Sequence, residues 1–465
     1  MIFLPIVGSC IVPHPPLILP EIGLGREACI EETTAAYREA ALFIKKLAPE
    51  TIVISSPHIV MYRNYFSISP GAGADGDMAY YGARQVKAHV DYDTQFVLAI
   101  LEEAQKQQLP LGADGQKDKH LDHATIIPIR FVQEAFPQFK VVRISLSGLP
   151  LAMHYRVGEC IQKAAEKLNK RIFYIASGDL SHKLRKNGPY GISKEGQEYE
   201  RRIVNIMENA NFGELLDFSD DFCEKAAECG HRSFVMMAGA LDGKKVEPKL
   251  LSHQDVTGVG YGVGTYLVTG EDPERHFLKD WTAKKEKILM ERIHKEDTYV
   301  HLARKSLINY LLCGEYLKRP DDLPKELTQN KLGVFVSLHE NGELRGCIGT
   351  IEPITDCIAD EIINNAVSAA VRDPRFPPVR MEELGMLEIS VDVLEPAESI
   401  STLEELDPNI YGVIVSKGSK RGVLLPDLEG VETPEQQVSI AKQKAGISSL
   451  DWDVSLKRFK VTRHY

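Results

Sequence analysis

No stretch of this 465-residue chain runs for about 18 apolar residues, the length a membrane-crossing helix needs, so no membrane segment is expected. Cysteine is sparse and unpatterned: the eight residues form neither close pairs nor a regular framework, which excludes a disulfide scaffold and points to reduced thiols in the cytoplasm. No Cys-x-x-x-Cys-x-x-Cys spacing occurs, so the chain is not expected to hold an iron–sulfur cluster by itself. Positive charge is in deficit. With a formal net charge of -11 and a pI near 5.8, there is no overall electrostatic reason to bind nucleic acid or an anionic membrane. The apolar start, Met1 to Gly8, lacks a basic flank and reaches His14 and its neighbouring prolines too soon for a secretory signal. Internal repeats and low-complexity tracts are also missing.

What is present is a chain too long for one ordinary core. Residues 1–270 alternate β-branched runs, at 51–55, 140–144 and 171–176, with amphipathic stretches at 31–47 and 155–170. That alternation predicts an α/β domain with a central, mostly parallel or mixed sheet flanked by helices. The glycine-rich segment 256–264 leads into a closing strand. Residues 271–292 turn charged and read as a linker. Residues 293–465 read as a smaller α+β domain, with helices at 297–312 and 360–371, a strand at 333–338 and an Asn341-Gly342 hairpin signal.

The first domain presents histidines beside turn-forming or acidic residues in four segments: Val12-Pro13-His14-Pro15-Pro16, Ser55-Ser56-Pro57-His58, Leu121-Asp122-His123-Ala124 and Ser177-Gly178-Asp179-Leu180-Ser181-His182. Two of them follow β-branched runs, which places their histidines where strands end and α/β sheets assemble sites. The prolines around His14 pre-set its backbone, so its imidazole can be aimed at little entropic cost. The spacing of Asp179 and His182 suits one face of a helical turn, with the carboxylate orienting the imidazole, although Ser177 or Asp179 could equally serve as a helix cap. His123 reads as an acid/base group or as a loop histidine paired with its acidic neighbour. Further on, Glu228-Cys229-Gly230-His231 offers a carboxylate, a thiol and an imidazole, any of which could complete a metal site begun by His14 and His58. A carboxylate there favours ferrous iron, whereas a thiolate suits zinc or copper.

These ordered motifs resemble the LigB-type class III extradiol ring-cleavage dioxygenases and their Memo relatives over residues 1–270. The resemblance implies a non-haem Fe2+ site, with Zn2+ or copper as the alternatives, built on His14 and His58. It implies a catechol-like aromatic substrate, His182 as acid/base with Asp179 beside it, and His123 assisting. The dioxygenases carry a carboxylate or histidine as third ligand, and here Glu228-Cys229 looks more like Memo, in which cysteine takes that place.

In the second domain, Leu344-Arg345-Gly346-Cys347-Ile348-Gly349 sets a cation and a thiol among glycines. It reads either as a bulged strand with a small buried cysteine or as a reactive thiol favoured by Arg345. Arg372 and Arg375 flank Asp373 at a helix end, suiting anion or partner recognition or an ion-paired loop. The segment 344–349, together with 372–376, 411–415, 421–426 and 433–437, resembles the AMMECR domain. The fusion of both domains resembles protein A of the AmmeMemoRadiSam system, which implies a radical SAM partner protein. The readings that follow are a ring-cleaving dioxygenase, a metal-binding accessory module for that partner, or a fold retained for protein interaction.

Overall fold

The computed structural model describes residues 4–113, 120–340, 342–380, 383–428, 430–451 and 453–465. Met1 to Phe3 and the hairpin residue Asn341 lie outside them. The chain divides into two compact units, Met1–Thr282 and Ala283–Tyr465.

The first unit is built on a six-stranded sheet: β1 (Ile6–Val12), β2 (Thr51–Ser56), β3 (Lys140–Ser145), β4 (Ile172–Ser177), β5 (Lys244–Gln254) and β6 (Tyr261–Glu271), in the order β3-β2-β4-β1-β6-β5. The sheet is mixed. The first four strands in that order run parallel, and β6 pairs antiparallel with both β1 and β5. Strands β1, β2 and β4 are buried along their whole length, which is why their sequences are apolar runs rather than alternations.

Helices cover both faces. On one, α1 (Glu31–Leu47) packs Tyr37 and Ile44 with Ile126 and Ile127 of a later helix, residues His123–Ala135. On the other, the helix Leu151–Leu168 packs Tyr155 and Val157 with Phe234 and Met236 of the helix His231–Ala240. The amphipathic expectation at 31–47 coincides with α1. The segment expected as a linker is ordered: β6 extends to Glu271, a 3-10 turn follows, and the helix Phe277–Ile293 lays Phe277, Leu278 and Trp281 on the first core. Its charge reflects one solvated helix face.

The second unit holds two four-stranded sheets. Its strands are β7 (Val334–Glu340), β8 (Glu343–Gly349), β9 (Leu387–Leu394), β10 (Glu398–Ile400), β11 (Gly412–Lys417), β12 (Lys420–Leu424), β13 (Ser455–Phe459) and β14 (Val461–His464). They are ordered β8-β7-β9-β14 and β10-β13-β11-β12. The helices Thr298–Cys313 and Ile358–Val371 cover one face of the first sheet, over Val336, Leu338 and Val391. The helix Pro434–Lys444 covers the second, and it starts at a capping box in which Thr433 and Gln436 each satisfy the other's backbone N–H. Among the described residues, no helix is long and apolar enough to cross a membrane.

Candidate metal centre

Because β2, β4 and β1 are neighbouring parallel strands, their carboxyl ends share one edge of the sheet. His58 follows β2 by two residues, Asp179 and His182 follow β4, and His14 follows β1 by two residues. His123 opens the helix His123–Ala135, and Cys229 immediately precedes the N-cap of the helix His231–Ala240. The three rings of His14, His58 and His123 stand together, with centroids 4.9, 5.4 and 4.2 Å apart.

His14 Nε2 lies 3.1 Å from His58 Nε2 and 3.6 Å from Cys229 Sγ. Ligand atoms held at about 2.0 to 2.3 Å from one ion stand roughly 3 to 4 Å apart, so both separations fit a shared cation. The set His14, His58 and Cys229 and a second set, Asp179, His182 and Cys229, each keep their ligand atoms within 4.8 Å of one another. Burial pushes the Cys229 thiol well above its ordinary range, as do the charges of Asp179 and Glu228. Only a bound cation would make it a thiolate.

Neighbouring groups fix the His14 ring. The Ser177 hydroxyl donates to the Ala124 carbonyl at 2.7 Å, and its single proton is thereby committed. Ser177 Oγ, 3.0 Å from His14 Nδ1, therefore accepts from Nδ1–H. Burial and the neighbouring His58 hold the His14 pKa well below its usual value, so the ring is neutral and Nε2 offers a lone pair to the centre. The His14 backbone N–H donates to Asp179 Oδ1 at 2.8 Å, tying the ends of β1 and β4 together.

His182 sits beside this set with Nε2 buried and without a hydrogen-bond partner, 3.9 Å from Asp179 Oδ2. Burial lowers the His182 pKa and raises that of Asp179, and each charge partly offsets the shift of the other. The expected helical turn is not formed: residues 178–181 are a loop, and neither Ser177 nor Asp179 caps a helix. His123 does not pair with Asp122. Its Nδ1 faces the Tyr81 hydroxyl at 3.2 Å, and burial with the charges of His58 and His14 brings its pKa down to about 3. Asp122 instead caps its helix through Thr125 and accepts from Ser56 Oγ at 2.6 Å, which fastens the turn carrying His58 to the helix carrying His123. The guanidinium of buried Arg143, 3.5 Å away, balances the Asp122 charge.

Glu228 belongs to neither ligand set. Its carboxylate accepts the His231 backbone N–H at 2.5 Å, where it satisfies a free donor at a helix start, and burial raises its pKa to about 7. Sequence reasoning missed Tyr81 and Tyr190, the latter 5.1 Å centroid to centroid from the His182 ring. Both are aromatic groups from outside the histidine motifs.

In the second unit, Arg345 is engaged away from Cys347: it pairs with Glu383 at 2.7 Å and donates to the Pro377 carbonyl. The guanidinium beside Cys347 is that of Arg375, which binds Asp373 and donates to the Cys347 carbonyl. Arg372 closes the helix Ile358–Val371 and stands over the Tyr316 ring.

Residues 8–264 match the family described as the catalytic LigB subunit of aromatic ring-opening dioxygenase, and residues 300–464 match AMMECR1. Protein CA_C1420 of Clostridium acetobutylicum is 39% identical over 465 residues, spanning 98% of each chain. A Thermotoga maritima protein is 48% identical over 170 residues, covering 36% of this chain and 98% of its own. Among solved structures, protein PH0010 of Pyrococcus horikoshii is 36% identical and covers 36% of this chain and 88% of that one, with a TM-score of 0.34.

Proposed function

This chain belongs to the LigB family, with an AMMECR1 domain following, and from that premise we propose that it is an Fe2+-dependent extradiol dioxygenase that opens a catechol-like aromatic ring. The observation that supports the reading is the pair His14 and His58 at one sheet edge with the unpartnered Nε2 of His182 beside it, Cys229 completing the donor set in the place where the dioxygenases carry a carboxylate or histidine. A ferrous ion bound there would orient the diol and dioxygen and pass charge between them.

The chain's own groups do the rest. His182 Nε2 is a free, neutral base inside the site, and it takes a proton from a substrate hydroxyl. Asp179 then steadies the imidazolium, since its carboxylate is within Coulombic reach at 3.9 Å. His123, neutral because burial and its histidine neighbours hold its pKa at about 3, presents a ring to the substrate without adding positive charge. Tyr81 and Tyr190 wall the space with aromatic faces that suit a planar ring.

The test is anaerobic loading with ferrous iron followed by oxygen uptake over a panel of catechols, with His182→Gln alongside. Uptake by the wild type and a fall of about 100-fold or more in the variant are expected. Iron-loaded protein that consumes no oxygen with any diol would overturn the reading.

A further inference from the structure

Strand β7 alternates strictly. Val334, Val336 and Leu338 face the helices and are wholly buried, while Phe335, Ser337 and His339 point the other way. Register carries that second face across the sheet: Ser337 stands opposite Cys347 of β8 and Ser390 of β9, so a thiol and two hydroxyls lie abreast in one cross-strand row. The Ser337 hydroxyl lies 3.2 Å from Cys347 Sγ, and Asp373 accepts the Cys347 backbone N–H.

A polar sheet face ordinarily meets water. This one is covered: Ser337 is 9% exposed, Asp392 on the same face 2%, and Val423 and Leu425 form the opposite wall. Between the walls lies a cavity of about 560 Å³, within the range that takes a small organic molecule.

Its charges are unevenly committed. Arg463 is held by Asp392 through two nitrogens. Arg375 uses Nε and Nη2 on Asp373 and the Cys347 carbonyl, which leaves Nη1 on a side chain 54% exposed. Lys444 has no carboxylate partner among the described residues. Glu388 lies one row away from Cys347, opposite His339.

We propose that this cavity is a second ligand site, for a small organic carboxylate with an apolar body. The carboxylate takes Arg375 and Lys444, the body lies against Phe335, Leu344, Val423 and Leu425, and the Cys347 thiol stands in contact with the ligand. Every residue that lines it belongs to the second unit.

The 465-residue chain carries its own controls, because Cys29 and Cys313 are exposed thiols. Alkylation rates of all three are measured by peptide mass spectrometry with anionic iodoacetate and neutral iodoacetamide. The ratio of iodoacetate to iodoacetamide rates is expected to be roughly tenfold higher at Cys347 than at Cys29, through local enrichment of the anion. Lys444→Gln, at an exposed position, and Arg375→Gln should each bring the ratio down. As a ligand probe, 3-phenylpropanoate should slow labelling of Cys347 alone, and 3-phenylpropanamide should not. A Cys347 ratio equal to that of Cys29, a thiol that neither reagent reaches, or no protection by 3-phenylpropanoate overturns the proposal.

Discussion

Pro128 leaves the carbonyl of Ala124, four residues before it in the helix His123–Ala135, without a backbone donor, and the hydroxyl of Ser177 fills the gap at 2.7 Å. This commitment obliges Ser177 to accept from His14 Nδ1, so a proline in one helix determines which nitrogen of a histidine 114 residues earlier faces the metal centre. Pro128→Ala should restore the helical bond, release the hydroxyl and let the ring turn to the other tautomer. Metal affinity is expected to fall by about 10- to 100-fold, as when a ligand's supporting group is lost, while thermal stability holds. Ser177→Ala should match that loss in affinity and also cost about 1 to 3 kcal/mol, because a buried carbonyl is left unpaired. Competition with a chromogenic chelator and chemical denaturation check both.

A Cβ added to Gly178 would stand 2.1 Å from the Cα of Gly230, which lets the end of β4 and the loop carrying Cys229 touch backbone to backbone. Gly178→Ala must push them apart. The expected cost is about 1 to 3 kcal/mol from overpacking, together with weaker metal binding as Cys229 withdraws from His14. Calorimetric melting and metal stoichiometry on the same samples check it.

Cys229 and Glu228 are adjacent in sequence and should separate cleanly in experiment. Cys229→Ala is expected to lose bound metal after dialysis. Glu228→Gln should retain metal and lose about 1 kcal/mol of stability, the usual scale for a group at a helix start. Elemental analysis of both variants decides whether the thiol or the carboxylate is the ligand.

Glu200 raises the His253 pKa above its ordinary 6.5 through a 2.6 Å hydrogen bond, and its other oxygen accepts the Ser181 backbone N–H next to His182. A histidine pKa raised on folding contributes stability that is complete below 6.5 and lost as pH climbs through the folded value. The stability difference between wild type and His253→Gln should therefore be larger at about pH 6 than at about pH 9. Urea titrations at the two pH values check the sign.

Much of this molecule is legible in its sequence. The period of residues 31–47 defines α1, and the buried runs ending near His58 and Asp179 locate two corners of the centre, because a strand buried on both faces must be apolar and its first polar residue marks the sheet edge. The roles of Ser177, Asp122 and Tyr81 were not legible, since each depends on a partner brought close only by the fold: Ala124, Ser56 and His123 respectively. Arg345 shows the limit of local reading. Its neighbour in sequence is the thiol segment, but Glu383 competes for the guanidinium and Arg375 takes the place beside Cys347. The charged stretch 271–292 contains the division between the two units, at Thr282–Ala283, and its helix went unread because three apolar contacts among so many solvated residues leave little periodic signal.

His14 and His58 are separated by 44 residues, and His14 and Cys229 by 215. An ion shared by these three would act as a clasp on loops of very different length, and no short peptide of the chain contains all three donors. Pairing of β1 with β4 and the close approach of Gly178 to Gly230 bring the ends of the longer span together in the fold itself. All three donors lie outside the strands, so an ion held there would join turns that the sheet has already aligned.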